Sequence, residues 1–308
     1  MPREFDQFTI TDEVIDRFKN TPNPRLKQLM EAVVRHAHAL VKETQLTEAE
    51  WSFAIDFLTR TGQTCSDRRQ EFILLSDTLG ISMLVDAINN AVPTGATQST
   101  VLGPFFVQDA PLAQNNSRID LDDGRSGQPL YAEATFTDLQ GNPIESAKVD
   151  VWHSDEQGNY DIQYGPEASL TRRARFVTGK DGRVAFWTSL PAAYPIPYDG
   201  PVGQMLMATK RHPWRPAHLH YMVDAPGFKH LTTHIFVNGD PYLESDAVFG
   251  VKKSLVDDFP ERPAGTAPDG SVVDRPYRHL VWHFKLPHLD HTLPGSFAAP
   301  TSRSSPTD

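Results

Sequence analysis

The chain has 308 residues, 39% hydrophobic and 22% charged, a globular composition long enough for one large domain or two ordinary ones. No run approaches the roughly 20 apolar residues that span a bilayer, and the net charge of −10 disfavours nucleic acid and anionic lipid as partners. Cys65 is the one cysteine, so no intrachain disulfide forms, and the polar start at residues 1–6 holds no apolar signal core; both features predict a cytoplasmic protein.

The first hundred residues predict helices. Leu26, Leu29, Met30, Val33 and Val34 recur at helical spacing, and Ala37 and Leu40 continue the stripe. Thr47 and Glu50 form a capping-box pattern, and Trp51, Ala54, Ile55 and Leu58 give the following helix an apolar face. A third helix is predicted from about Asp67, with Phe72, Leu75 and Leu79 inward. Gly80 interrupts it, and residues 81–91 continue as a fourth.

The pattern changes near Gly103, after which most prolines fall. Residues up to about 129 are irregular, with turns at 115–117 and 122–124. Short alternating runs follow at 131–138, 147–152, 175–178, 183–189, 218–223, 231–237 and 279–286. Turns rich in Gly and Pro separate them, and 179–182 reads as a hairpin turn, so a β-sandwich or barrel is predicted. The Ser/Pro/Thr-rich tail after Pro294 is predicted to be disordered. The fold class is therefore mainly β with α. A helical domain spans 1–103, a C-terminal β-sandwich catalytic domain spans 104–294, and the tail covers 295–308.

The sharpest local feature is Arg215-Pro216-Ala217-His218-Leu219-His220-Tyr221. Strand side chains alternate faces, so His218 and His220 present two imidazoles side by side. Neutral imidazole is a common metal ligand, but a bare His-x-His is more often two histidines on a half-exposed strand. Tyr160, Tyr194 and Tyr198 lie in turn-rich segments of the same region. A trivalent cation holds a phenol as phenolate near neutrality, and phenolate favours Fe(III). Spacing alone does not select among the eight tyrosines. His153, His212, His234, His279 and His283 sit in or beside predicted strands and read as structural hydrogen-bonders.

Four stretches carry a specific likeness. They are Val101-Leu102-Gly103-Pro104-Phe105-Phe106; Val149-Asp150-Val151-Trp152-His153 running to Gly158-Asn159-Tyr160; Asp199-Gly200-Pro201 after Tyr194; and the His218-Leu219-His220 motif with Arg215 before it. Through them, residues 20–290 resemble the intradiol ring-cleavage dioxygenases that carry an N-terminal helical domain. Within that family the chain looks closest to the hydroxyquinol 1,2-dioxygenases, on Leu74-Leu75-Ser76-Asp77, Tyr194-Pro195-Ile196-Pro197, Arg211-His212-Pro213-Trp214 and residues 231–236.

The resemblance implies one Fe(III) per subunit on Tyr160, Tyr194, His218 and His220; Tyr198 matches no ligand position. It implies that Tyr194 leaves as a base when a 1,2-diol binds, and that Arg215 stabilises charge on the ring. Leu74, Asp77, Val101, Leu102, Gly103, Pro104 and Val248 would line the ring pocket. Asp77 is either a helix residue paired with solvent or an acceptor for a third ring hydroxyl. His234 matches a polar position near the metal. The implied reaction is intradiol cleavage of hydroxyquinol (benzene-1,2,4-triol) by O2, giving 3-hydroxy-cis,cis-muconate and then maleylacetate. The alternatives are catechol or chlorocatechol cleavage on the same iron, or a non-catalytic β-sandwich metal-binding module. The resemblance also implies a homodimer through the N-terminal helices, and amphipathic faces there suit that role.

Overall fold

The structure, a computed structural model, describes residues 4–66, 69–120, 127–165 and 168–290. The predicted turn at 122–124, the helix start near Asp67 and the tail after Pro294 lie outside the described residues. The chain divides into two compact units, residues 1–63 and the remainder from Thr64, a boundary earlier than the composition change at Gly103.

In the first unit, helices α1 (Ile10–Asp16) and α2 (Pro24–Thr44) are joined where Thr11 Oγ1 meets His38 Nδ1 at 3.0 Å and Lys42 Nζ donates to Thr11 Oγ1 at 3.0 Å. Sequence periodicity did not predict α1. Asn23 starts α2 by accepting the amides of Arg25 and Leu26, with Pro24 at the first turn, where a missing N–H costs nothing. Thr47 and Glu50 close the predicted capping box at the start of α3 (Glu48–Thr64): the Thr47 amide donates to Glu50 Oε2 at 2.9 Å and the Glu50 amide to Thr47 Oγ1 at 3.3 Å. Leu26, Leu29, Val33, Leu40, Trp51, Ile55 and Leu58 are all exposed in the single chain.

In the second unit, α4 (Glu71–Thr78) and α5 (Ile81–Asn89) are separated at Gly80, whose φ of +73° is a left-handed value that glycine adopts without strain. The predicted inward face of α4 is corrected. Phe72 and Leu79 are exposed, Leu75 is half-buried against the cluster of Leu74, Ile196 and Val202, and the buried face is Glu71, Leu74, Asp77 and Thr78. Polar residues turn inward because they have partners there. Glu71, for example, accepts the Val202 amide at 3.1 Å and so caps α6 (Pro201–Ala208).

Two five-stranded sheets form the predicted sandwich. One runs, in spatial order, Ser117–Arg118, Arg183–Ser189, Pro129–Thr137, Tyr277–Lys285 and Glu261–Arg262. The other runs Val256–Asp257, Leu231–Val237, His218–Asp224, Lys148–Trp152 and Arg173–Val177. Their facing sides bury Leu130, Phe136, Val184, Phe186 and Phe284 against Val149, Val151, Phe176, Leu219, Tyr221 and Ile235. Among the described residues no helix is long and apolar enough to cross a membrane.

Candidate functional site

The second sheet is apolar on its sandwich face and carries chemistry on the other. Leu219, Tyr221 and Val223 point into the core, so by strand alternation His218 and His220 point out of it. Neither ring is solvent-exposed, because further segments cover this face. Trp152, opposite His220 in the strand register, stacks on its ring at 4.4 Å and 15°. Gly103 lies close by, with a φ of +76°. A Cβ there would meet His220 Cε1 at 3.3 Å, so a glycine lets this wall approach the imidazole.

Both tyrosines come from loops. Asp155 shapes the first loop by accepting the amides of Gln157 and Asn159, and Gln163 Oε1 accepts the Tyr160 amide at 2.7 Å. The second lies in a two-residue strand, Tyr194–Pro195, paired with Trp214–Arg215 so that Tyr194 stands opposite Arg215. Gly158, at φ +81°, lets the two loops touch: a Cβ there would lie 2.7 Å from the Ala193 carbonyl.

These segments bring Tyr160, Tyr194, His218 and His220 together in one buried cluster. His220 Nε2 lies 3.0 Å from Tyr160 Oη and 3.1 Å from His218 Nε2. Tyr160 and Tyr194 meet edge to face at 5.2 Å, and the Tyr194 ring centre is 5.6 Å from that of His218. His218 Nδ1–H donates to the Pro216 carbonyl at 2.7 Å, which fixes the tautomer and leaves the Nε2 lone pair facing the cluster. Burial, then the charge of Arg215, holds His218 well below the usual imidazole range; burial and His234 do the same to His220. Both are therefore neutral, the form that ligates metal. Burial, then the adjacent Tyr194, pushes Tyr160 up, so ionising its phenol requires a strong local cation. Two lone-pair nitrogens and two phenol oxygens at this spacing, in a dry pocket, fit a hard trivalent metal.

His234 joins the same cluster. Its ring stacks on His218 at 4.4 Å and 16°, and one of its nitrogens falls within 4.8 Å of the donors of His218 and His220. Its Nε2 is buried without a hydrogen-bond partner. A structural hydrogen-bonder was predicted there, with only the family match pointing closer. Tyr198 stays apart on the surface, 53% exposed.

Arg215 is 2% exposed and bridges the cluster to its surroundings. Its Nη1 donates to Tyr194 Oη at 3.2 Å, and its Nε and Nη2 donate to Asp246 at 3.0 and 3.3 Å. Burial works against the guanidinium charge, but Asp246 outweighs it and keeps Arg215 protonated. Nothing in the sequence pattern pointed to Asp246.

A narrow cavity opens beside Tyr194 and Arg215, lined by Leu74, Asp77, Val101, Gly103, Pro104 and Val248 among others. Of the predicted pocket residues, only Leu102 is absent from this lining; its side chain is 40% exposed. Phe105, Ile196 and Pro197 also line it and were not predicted. Burial pushes the Asp77 carboxyl up, partly offset by Ser82 and Arg215, so the cavity lining combines a desolvated acid with a fixed cation.

Residues 101–286 match a family described as "Dioxygenase", and residues 23–97 match "Catechol dioxygenase N terminus". The chain is 52% identical over 274 residues to a hydroxyquinol 1,2-dioxygenase of Rhodococcus opacus, covering 87% of this chain and 90% of the relative. It is 50% identical over 264 residues to a 6-chlorohydroxyquinol 1,2-dioxygenase of Cupriavidus pinatubonensis, covering 86% and 95%. A solved hydroxyquinol 1,2-dioxygenase of Pseudomonas putida DLL-E4 superposes with a TM-score of 0.86 at 46% identity, covering 92% of this chain and 98% of that one.

Proposed function

The chain belongs to the intradiol ring-cleavage dioxygenases, an iron-dependent family, and on that premise we propose that it cleaves hydroxyquinol with O2 between the two adjacent hydroxylated carbons. The product would be 3-hydroxy-cis,cis-muconate, which tautomerises to maleylacetate. The observation that carries the substrate is Asp77, a buried carboxyl in the same cavity as Arg215 and Tyr194. A benzene-1,2,4-triol has a third hydroxyl to add to the bond this carboxyl accepts from Ser82; catechol has none to give.

In this reading one Fe(III) per subunit is held by Tyr160, Tyr194, His218 and His220. When bound, the ferric ion acidifies the diol and draws electron density from the ring towards attack by oxygen. The protein's residues supply the rest. Tyr194 Oη is the base that takes a diol proton, and the nearby Arg215 guanidinium stabilises the phenolate until then. Arg215, locked by Asp246, then presents a fixed positive charge to the reacting ring at no cost in reorganisation. Leu74, Val101, Gly103, Pro104 and Val248 would hold the ring flat and keep water out.

The exposed stripe on α2 and α3 supports a homodimer formed through these helices, since apolar side chains at helical spacing gain by being covered. Sedimentation of the purified protein tests it; a monomer at micromolar concentration refutes it. The lone Cys65 is consistent with work in the cytoplasm.

Oxygen uptake by the iron-loaded enzyme tests the substrate. Faster turnover of benzene-1,2,4-triol than of catechol is expected, and a clear preference for catechol would overturn the proposal in favour of a catechol 1,2-dioxygenase.

A further inference from the structure

One row of side chains runs across four strands of the second sheet. The register pairs Arg173 with Trp152, Trp152 with His220, and His220 with His234. Directly paired residues share a face, so all four lie on the side that carries the metal donors. Every member is at least 97% buried. The row ends in a cation, which has no evident reason to be in a dry interior unless it is paired.

Its partner is Asp161, the residue that follows Tyr160. Arg173 Nε donates to Asp161 Oδ2 at 2.6 Å, and Nη2 donates to Oδ1. The same carboxylate accepts the Thr171 amide at 3.0 Å and the Ile162 amide at 2.8 Å. The third arm of the guanidinium, Nη1, donates to the Phe105 carbonyl at 3.0 Å. The Phe105 ring lies flat over Tyr160, 4.2 Å between centres and 20° between planes. One side chain on the sheet thus grips the turn that carries Tyr160 and the segment that covers it, while Trp152 in the same row supports His220.

We propose that the Arg173–Asp161 pair is a positioning clamp that sets where the Tyr160 phenol stands relative to His220, and so governs the tyrosinate donor of the iron centre. The proposal rests on Tyr160 being a ligand. A buried ion pair is a poor device for stability, because matched apolar residues often serve as well. Its advantage is geometric: a planar guanidinium fixes two separate groups at once, which a lysine ammonium cannot do in the same way.

The test uses full-length, iron-loaded protein and reads the visible tyrosinate-to-iron absorption, iron retention against a chelator, and thermal unfolding of the iron-free chain. Arg173→Lys keeps the charge and removes the fork. It is expected to shift the absorption and speed iron loss about tenfold, the lower end of effects seen when groups that orient a ligand are changed. Phe105→Leu leaves the ion pair intact and removes only the covering ring, so it should move the band in the same direction with a smaller loss of iron. If Arg173→Lys does not fold, Phe105→Leu decides. Wild-type absorption and iron retention in the folded variants, with Tyr160→Phe altering both, would overturn the clamp and leave the ligand assignment standing. An unchanged band in Tyr160→Phe would remove the ligand assignment, and the clamp with it.

Discussion

The strand His218–Asp224 and its neighbour Lys148–Trp152 have two faces made of the same backbone and put to opposite uses. The sandwich face, with Val149, Val151, Leu219, Tyr221 and Val223, is held by burial of apolar surface. The opposite face, with Asp150, Trp152, His218 and His220, is almost as dry, but directional contacts hold it: Arg175 pairs with Asp150, His218 donates to the Pro216 carbonyl and Trp152 stacks on His220, while Trp152 Nε1 and His220 Nδ1 have no hydrogen-bond partner. Both faces are buried; they differ in what replaces water. On one side it is packing, which tolerates a conservative change of shape. On the other it is directional bonding among a few atoms, which tolerates almost none.

Substitutions one residue apart should therefore fail in different ways. His220→Ala is expected to have the largest effect, abolishing the tyrosinate colour and turnover. Its iron affinity should fall by more than the roughly 10–100-fold that changes to orienting groups cost. Leu219→Ala, adjacent in sequence and on the other face, should destabilise the fold by about 2–5 kcal/mol in denaturant titrations while its folded fraction still binds iron with native colour. If Leu219→Ala loses iron as His220→Ala does, the two faces are not separable.

Arg215→Lys sharpens the comparison within the chemical face. The positive charge remains, but the fork that joins Tyr194 to Asp246 is lost. A fall in kcat of about 10²–10³, the scale of losing one preorganised charge-stabilising donor, is expected with the iron content unchanged. Loss of iron in step with activity would instead make Arg215 a structural support of Tyr194. A smaller change is expected of Asp77→Ala. The ratio of kcat/KM for benzene-1,2,4-triol to that for catechol should drop about tenfold or more, the value of one hydrogen bond to a charged group, with catechol turnover little altered. An unaltered ratio would leave Asp77 as a helix residue without a role in selection.

The sandwich and its chemical face were legible because period two is written directly into the strands. His218 and His220 flank Leu219, and the alternation puts them together on one side without any knowledge of the rest of the fold. Tyr160 and Tyr194 were not legible from pattern. They lie on loops whose approach depends on Gly158, and only the likeness of the surrounding motifs marked them. The inward face of α4 was misread because apolar periodicity assumes that a helix buries apolar residues. Here Glu71 and Asp77 are buried for a cap and for a cavity, and Phe72 is left outside. Asp246 was invisible for a simpler reason. It pairs with Arg215 through a return of the chain 31 residues later, and no local rule records that contact.

His153 provides the finest test, because it sits at the end of the chemical strand but contacts neither tyrosine. Its Nδ1 meets the Ser154 carbonyl at 2.7 Å and its Nε2 meets Thr188 Oγ1 at 2.7 Å, tying this strand to the first sheet. Burial, the main cause, lowers its pKa to about 3 from an ordinary 6.5. The folded state therefore refuses a proton that the unfolded chain accepts across this window. Stability from this residue is fully present above about pH 6.5 and is lost as the pH falls towards 3, at up to about 1.4 kcal/mol per pH unit for one proton. His153→Gln keeps an amide able to serve both neighbours and removes the titration. In urea unfolding of the iron-free protein between pH 6 and 4, its stability should fall less steeply than that of the native chain, by up to about one proton. Parallel slopes would mean that His153 takes up its proton without unfolding, and that its end of the sheet is more open than the packing around it implies.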